Sequence, residues 1–314
     1  MPGLEIQPFS EEHLDAAGLL LAARHRRHRE AEPLLTEPAD YRTEVEALWR
    51  GEGASGFVGL HDGRAVGYVL GIRKSDEVWG PNVWVDPAGH AVEEPEELRD
   101  LYAAAASRWV DESRTRHYAV APTSDHELLL AWYRLGFGQQ QALGIREIPE
   151  AAMPADVRLA EERDIEALVD LGPVLPDHQS GSPVFSGWRP FETEEELRQE
   201  VIDDLANPEL GLLVAEHDGR IVGGFELAPT TLSPMHASLA RVDGAVLLTW
   251  AVTRPEVRGS GTGVALTEGS FAWAREHGYE VMVTDWRVTN LLSSRFWPRR
   301  GFRETFLRLY RSIP

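Results

Sequence analysis

The chain of 314 residues contains no cysteine. That absence excludes disulfides, thiolate metal sites and a cysteine nucleophile, so no acyl group can pass through a protein thioester. Basic charge is also scarce. Lys and Arg number 31 against 51 Asp and Glu, and the formal net charge is −20 at pH 7. Nucleic-acid binding wants a basic face, so no nucleic-acid partner is expected. Such a charge admits cationic substrates such as amines, although a solubility charge is its more ordinary meaning. Long apolar runs are missing too: none approaches the ~20 residues of a membrane span. The opening MPGLEIQPFSEEHLD has neither the basic nor the apolar region of a signal peptide. The expectation is no membrane partner and a cytoplasmic location.

What is present is an ordinary globular composition, 43% hydrophobic and 26% charged, in a length that suits about two domains. The stretch around which the rest is organised is 247–266, LLTWAVTRPEVRGSGTGVAL. Its apolar start predicts a buried strand. Arg258-Gly259-Ser260-Gly261-Thr262-Gly263 follows, then apolar residues at helical spacing. A strand, a glycine-rich loop and a helix N-terminus make an anion site, because loop amides and the helix dipole converge on one concavity. A plain glycine-rich turn is the alternative. Neither the G-x-G-x-x-G dinucleotide pattern nor the P-loop pattern fits, since Val264-Ala265 stands where each needs another residue. Arg258, Gly261 and Gly263 instead match Arg/Gln-x-x-Gly-x-Gly/Ala. This resembles the acetyl-CoA pyrophosphate loop of the GNAT N-acetyltransferase superfamily.

The text of the chain recurs. Phe57–Val69 contains His61-Asp62-Gly63-Arg64, and Leu213–Phe225 contains His217-Asp218-Gly219-Arg220, an offset of 156 residues. Asp-Gly between two apolar runs predicts a hairpin at each place. Trp132…Gly136-Phe137 echoes Trp297…Gly301-Phe302, and Arg146–Pro149 echoes Arg311–Pro314. The chain reads as one unit used twice, 1–150 and 151–314, joined at PEAAMPAD. Each unit runs strand, two helices, hairpin, strand, helix, strand, helix, strands. That predicts an α+β fold with a mixed sheet and helices on its faces, and it is similar to the GNAT order in both halves, hence two tandem GNAT folds.

The resemblance assigns roles in the second unit. The central strand 244–253 splays from its neighbour at a bulge, and the backbones of Trp250, Ala251 and Val252 bind pantetheine and the thioester carbonyl. Arg258, Gly259, Ser260, Gly261, Thr262 and Gly263 bind the pyrophosphate of acetyl-CoA. Asn290, Ser293 and Trp297 fall in the family's second signature; Asn290 is equally a good N-cap. The turn-rich stretch 173–191 overlies the acceptor, and Asp177, His178 and Trp188 there are candidate contacts or simply surface. A second loop, 229–241, is expected opposite it, with His236.

This sequence departs from the pattern in ways that bear on chemistry. Many members carry a tyrosine acid where Trp297 stands, and an indole N–H is far too weak an acid to replace it. Water, Ser293, Ser294 or Tyr310 could protonate the leaving thiolate, or no acid is needed; among the side chains Ser294 is the candidate acid. Asp285 is the first candidate for general base, alternatively a structural partner of Arg287 or Arg295, with Glu226 and Asp243 behind it. Pro298 implies a kink or early end of the last helix. In the first unit, alignment by strand and helix puts His90, Glu93 and Pro95 where Arg258, Gly261 and Gly263 stand. Carboxylates repel a pyrophosphate and proline lacks a donor, so this unit is expected to be a degenerate GNAT domain. The basic run Arg24–Arg29 is expected to be a solvated helix end, although it could meet an anion.

The resemblance implies an acetyl-CoA-dependent N-acetyltransferase acting by direct attack of a primary amine of a small molecule or peptide, as a monomer or homodimer, with no metal. A non-catalytic CoA-binding protein, or an acyltransferase using a longer acyl-CoA, is the alternative.

Overall fold

The computed structural model describes residues 3–76, 80–186 and 193–314. In chain order the elements are β1 (Glu5–Pro8), α1 (Leu14–Ala31), α2 (Tyr41–Trp49), β2 (Ala54–His61), β3 (Arg64–Asp76), β4 (Gly80–Val85), β5 (His90–Val92), α3 (Glu97–Asp111), β6 (Arg116–Pro122), α4 (His126–Arg134) and β7 (Gly138–Glu147). There follow β8 (Val157–Leu159), α5 (Ile165–Leu171), α6 (Val174–Ser180), α7 (Glu194–Ala206), β9 (Gly211–His217), β10 (Arg220–Pro229), β11 (Ala245–Thr253), α8 (Thr262–Glu276), β12 (Val281–Arg287), α9 (Ser293–Arg299) and β13 (Arg303–Ser312). The chain divides into two compact units. The first comprises 1–143, 235–241 and 304–314; the second comprises 144–234 and 242–303.

In the first unit the strands lie in the order β1-β2-β3-β4-β6-β13. The β4–β6 pair is parallel and the other neighbours are antiparallel. The last strand comes from the far end of the sequence: Phe306–Ser312 pairs with Arg116–Pro122. Trp109, Trp132, Tyr68, Tyr102, Tyr118 and Phe306 fill the core. In the second unit the order is β12-β11-β10-β9-β8, again with one parallel pair, β11–β12. One face is closed by α5 and α7. There Leu168, Leu171 and Val201 pack on Leu212, Val214, Ile221 and Val252, with Trp250 at the margin. Both units are α+β with mixed sheets.

Local chemistry explains the element ends. Asp62 and Gly63 hold φ at 51° and 77°, and Asp218 and Gly219 at 51° and 75°. Two consecutive left-handed residues make the tight turn that matches strand twist, so both Asp-Gly hairpins form where expected. Asp40 caps α2 by accepting from the amides of Arg42 and Thr43, and Asp125 caps α4 through Leu128. Thr193 and Glu196 form a capping box at α7. Proline ends α9 early: the helix stops at Arg299, one residue past Pro298.

Three expectations are corrected. The basic run is no solvated helix end: α1 continues to Ala31, and Arg24, His25 and His28 are buried. They continue the inward stripe of Leu14, Ala17, Gly18 and Leu21 at helical spacing. Arg24 donates to the carbonyls of Pro87 (2.5 Å) and His90. The stretch 173–191 is no plain loop, since Val174–Ser180 is helix α6. Finally, 235–241, with buried His236, belongs to the first unit.

Candidate active site

The site expected in the second unit is built on β11. Opposite β10, Glu226 faces Trp250 and Leu227 faces Leu248, so Thr249 is one residue too many. That is a β-bulge, which bends the strand and frees backbone groups. On its other edge β11 pairs with β12 only from Ala245 to Leu248, whose partner is Thr284. Thr284 Oγ1 closes that last rung by donating to the Leu248 carbonyl at 3.1 Å. Beyond it the two strands diverge, and the edge of β11 from Thr249 onward has no strand partner on that side among the described residues. Val252 is buried, and Trp250 packs beside it on the face of α5 and α7. Trp250, Ala251 and Val252 therefore have main-chain groups, not side chains, to offer at the opening.

The glycine loop follows. Gly259 and Gly261 hold φ at 86° and 103°, a region that side chains with a Cβ rarely adopt. A Cβ at either would meet nothing within 4 Å, so the backbone requires glycine, not the space. Ser260 Oγ donates to the Val257 carbonyl at 2.7 Å and sits 2.8 Å from Thr262 Oγ1, which fastens the loop. The amides of Gly259, Gly261 and Gly263 have no protein acceptor among the described residues. Gly261 is the N-cap of α8, so the positive end of that helix adds to those amides. Arg258 is exposed. Gly263 lies in the first turn of α8, and a Cβ there would stand 3.5 Å from the Phe296 ring of α9.

The second signature is more structural. Asn290 is 3% exposed. Its Oδ1 accepts from the amides of Leu292 and Ser293 at 3.0 and 3.4 Å, and His178 Nε2 of α6 lies 3.2 Å away. Asn290 thus caps α9 and ties α6 to it. Ser293 and Ser294 are half-buried in the first turn of α9. Trp297 is buried among Phe225, Phe296 and Phe302. Leu291 and Leu292 remain exposed beside Asn290. Asp177 is exposed on α6, and Trp188 falls outside the described residues. Tyr310 stands against Tyr118 in the first unit.

Of the base candidates, Asp285 is half-buried on β12, directly after the last paired residue Thr284. Asp243 is exposed before β11 begins, at the end away from the bulge. Glu226 lies at the bulge. Its Oε1 accepts from Thr249 Oγ1 at 2.6 Å, and its carboxyl shares a hydrogen bond with Asp204 of α7. Burial raises the Glu226 carboxyl above its ordinary value. Burial, then the charges of Glu226 and Glu200, push Asp204 up to about 7. Sequence reasoning missed Asp204. The signal was there: it lies three residues after Val201 and beside Leu205, on the side of α7 that packs inward.

Among the described residues, the first unit shows no comparable opening. Gly67, Tyr68 and Val69 of β3 pair with Val92, Ala91 and His90. The repeat equivalents Gly223, Gly224 and Phe225 pair with Thr253, Val252 and Ala251. His90 therefore corresponds to Ala251, not to Arg258. The connection to the next helix has four residues, 93–96, against eight, 254–261. The loop is shortened, not merely substituted by Glu93 and Pro95. Its groups are also engaged: Glu93 pairs with Arg64 through both oxygens, and its amide donates to the Val66 carbonyl at 2.8 Å. Where β11 bulges by one residue, this strand is broken by the buried turn Pro87–Gly89. Tyr68 Oη donates to the Ala88 carbonyl at 2.8 Å, and Arg24 covers the flanking carbonyls.

Comparison with known proteins bears on this geometry. No curated protein matches the chain. A GCN5-related N-acetyltransferase from Sphaerobacter thermophilus has a similar structure, with a TM-score of 0.58 and 16% identity over 98% of this chain and 95% of that one. The GCN5-related glucosamine N-acetyltransferase region of a fungal multi-domain GH3 β-N-acetylglucosaminidase is similar with a TM-score of 0.55 and 13% identity. That match takes in 98% of this chain and 38% of the fungal one. Both likenesses are of fold. Residues 182–302 match the model of the acetyltransferase (GNAT) family. The chain has the fold of a GCN5-related N-acetyltransferase and carries, over residues 182–302, a domain of the acetyltransferase (GNAT) family.

Proposed function

We propose that the protein is an acetyl-CoA-dependent N-acetyltransferase with one cosubstrate site, in the second unit. The family match supports an acyl-CoA-dependent N-acyltransferase; acetyl as the acyl group and a primary amine as acceptor are our finer reading. The observation that carries it is the divergence of β11 from β12 beside a loop whose glycine amides have no protein acceptor among the described residues. The fit to the cosubstrate is chemical. A pyrophosphate needs several N–H donors and positive potential, and Arg258, the loop amides and the α8 N-terminus supply them. The diverging edge of β11 offers main-chain donors and acceptors to a pantetheine arm, which is itself amide chemistry. A backbone N–H near Ala251 would hold the thioester oxygen as it gains charge. The acceptor nitrogen then bonds to the carbonyl carbon and the carbon–sulfur bond breaks. A thiolate is a tolerable leaving group, so the burial of Trp297 costs the reaction nothing; Ser294 is the hydroxyl we assign nearest to that role.

Calorimetric titration with acetyl-CoA, followed by free-thiol release across a panel of primary amines, tests this. One site per chain and amine-dependent release are expected. Tight binding without release from any amine would leave a non-catalytic CoA-binding protein.

A further inference from the structure

Glu226 and Asp204 make an arrangement that the family resemblance did not assign. Glu226 sits on β10 directly opposite Trp250, at the bulge that opens β11. Two contacts define it. Thr249, the extra residue of the bulge, donates to Oε1 at 2.6 Å. Asp204 of α7 shares a hydrogen bond with it. Both carboxyls are half-buried. Two carboxyl groups can share a hydrogen bond only if one of them holds a proton. Like charges so close cannot both ionise easily, and partial burial adds to the cost. The pair therefore holds one proton under conditions in which a solitary surface carboxyl would have lost it.

Resting on the N-acetyltransferase reading, we propose that the hydrogen-bonded pair Glu226–Asp204, and not Asp285, accepts the proton of the acceptor amine. Glu226, at the bulge, meets the acceptor; Asp204 acts through it as a positioning residue. The acceptor arrives as R–NH3⁺. One N–H bond breaks, and its proton goes to the pair once it is fully ionised, and from there to water. The nitrogen lone pair forms the bond to the thioester carbon, and the carbon–sulfur electrons leave with sulfur. The second N–H proton, made acidic by that bond, goes to the thiolate. The products are the amide, CoA thiol and one released proton, and the charges balance.

The pair titrates as a unit, so its two steps belong to both residues. Glu200 and Asp203 of α7 are the other charges acting on it, and both favour the protonated form; from β11 the facing group is the Thr249 hydroxyl. In the intact protein the upper step falls near neutrality, where Asp204 is held at about 7. The rate should thus rise with pH through that region as the pair gives up its last proton.

Two measurements test this together. The first is carboxyl ¹³C NMR titration of wild type, Asp204→Asn and Glu226→Gln. One carboxyl is expected to titrate near neutrality in wild type, and none in either variant. The second is the pH profile of kcat/KM with acetyl-CoA and whichever amine gives turnover. Glu226→Gln should lower kcat/KM by about 100-fold, the usual scale of general-base loss. Asp204→Asn should keep part of the activity but shift the rising limb to lower pH, because an amide donor stabilises the ionised Glu226. A purely structural Asp204 would lower the rate without moving the limb. Calorimetry should show unchanged acetyl-CoA binding in both variants. Ordinary carboxyl titrations in wild type, or an unmoved limb in Asp204→Asn, overturn the proposal. An Asp285→Asn variant that loses the limb would reassign the base. No thiol release from a protein that binds acetyl-CoA and titrates as expected would overturn the enzyme reading itself, and the pair's role with it.

Discussion

Gly261 holds φ at 103° with open space where its Cβ would be. Alanine there would clash with nothing, so its cost is conformational, about 1–2 kcal/mol for a left-handed residue with a side chain. Gly261→Ala is expected to weaken acetyl-CoA binding by up to about 30-fold as the loop relaxes. Gly261→Glu adds charge repulsion and should abolish binding in calorimetry, while urea unfolding shows the fold intact. Binding that survived Gly261→Glu would put the cosubstrate elsewhere. A second set of residues governs acid stability. In the first unit burial lowers His25 and His117 to about 4, and His28 and His90 to about 3, from an ordinary 6.5. Above 6.5 these rings are neutral both folded and unfolded, and contribute no pH dependence. Below it the unfolded chain binds protons that the folded chain refuses. Stability should therefore fall as pH drops from 6.5 towards 4, by up to about 1.4 kcal/mol per pH unit for each histidine. Urea midpoints at several pH values check the slope. His28→Leu, which keeps the contact with Phe306 apolar, should flatten it; an unchanged slope would mean that His28 protonates freely in the folded protein.

Elements distinguish the two halves of the chain. Both units place a hairpin strand against a central strand, yet β11 carries a one-residue bulge and an eight-residue exit, whereas β4 and β5 are separated by a buried turn with a four-residue exit. Substituting glycine for Glu93 and Pro95 cannot restore the missing length. The double variant should still bind one acetyl-CoA per chain by calorimetry; a second binding event would show that the loop was only substituted. The hairpins were legible because Asp-Gly admits few other turns, and the glycine loop because its residue types answer directly to an anion. The shortened loop was not: an alignment by residue type conceals a deletion that strand register exposes. Helix α6 was hidden by its Pro176 and its two-turn length. Arg24, His25 and His28 misled because residue type argued for solvent while their spacing argued for the core. Asp204 was hidden for the same reason, a carboxylate at an inward helical position.

At the scale of the molecule, sequence repeats and compact units do not coincide. The apolar residues Phe306, Leu307, Leu309 and Tyr310 mark β13 as a strand, but their pattern says nothing about which strand it pairs with. Its partner is β6, so residues 304–314 belong to the first unit although they end the second repeat. Phe306 and Leu309 are fully buried there, and Leu307 nearly so. His28 meets Phe306 edge-on at 4.7 Å, and the Thr123 amide donates to the Thr305 carbonyl at 2.9 Å. Removing that strand strips one edge of β6 of its partners and exposes three large apolar side chains, each worth about 1.5–3 kcal/mol of burial. That sum rivals the ~5–15 kcal/mol by which a whole domain is stable. A fragment of residues 1–150, cut where the repeat divides, is therefore expected to be unfolded or aggregated. Supplying residues 303–314 as a covalent extension through a flexible linker should recover a dispersed NMR spectrum and a cooperative urea transition. Hydrogen exchange gives the same test in the full chain: truncation after Arg303 should deprotect amides of β6 before those of β9 and β10. A fragment 1–150 that folded cooperatively by itself would show that β13 is a late addition to a sheet already stable without it.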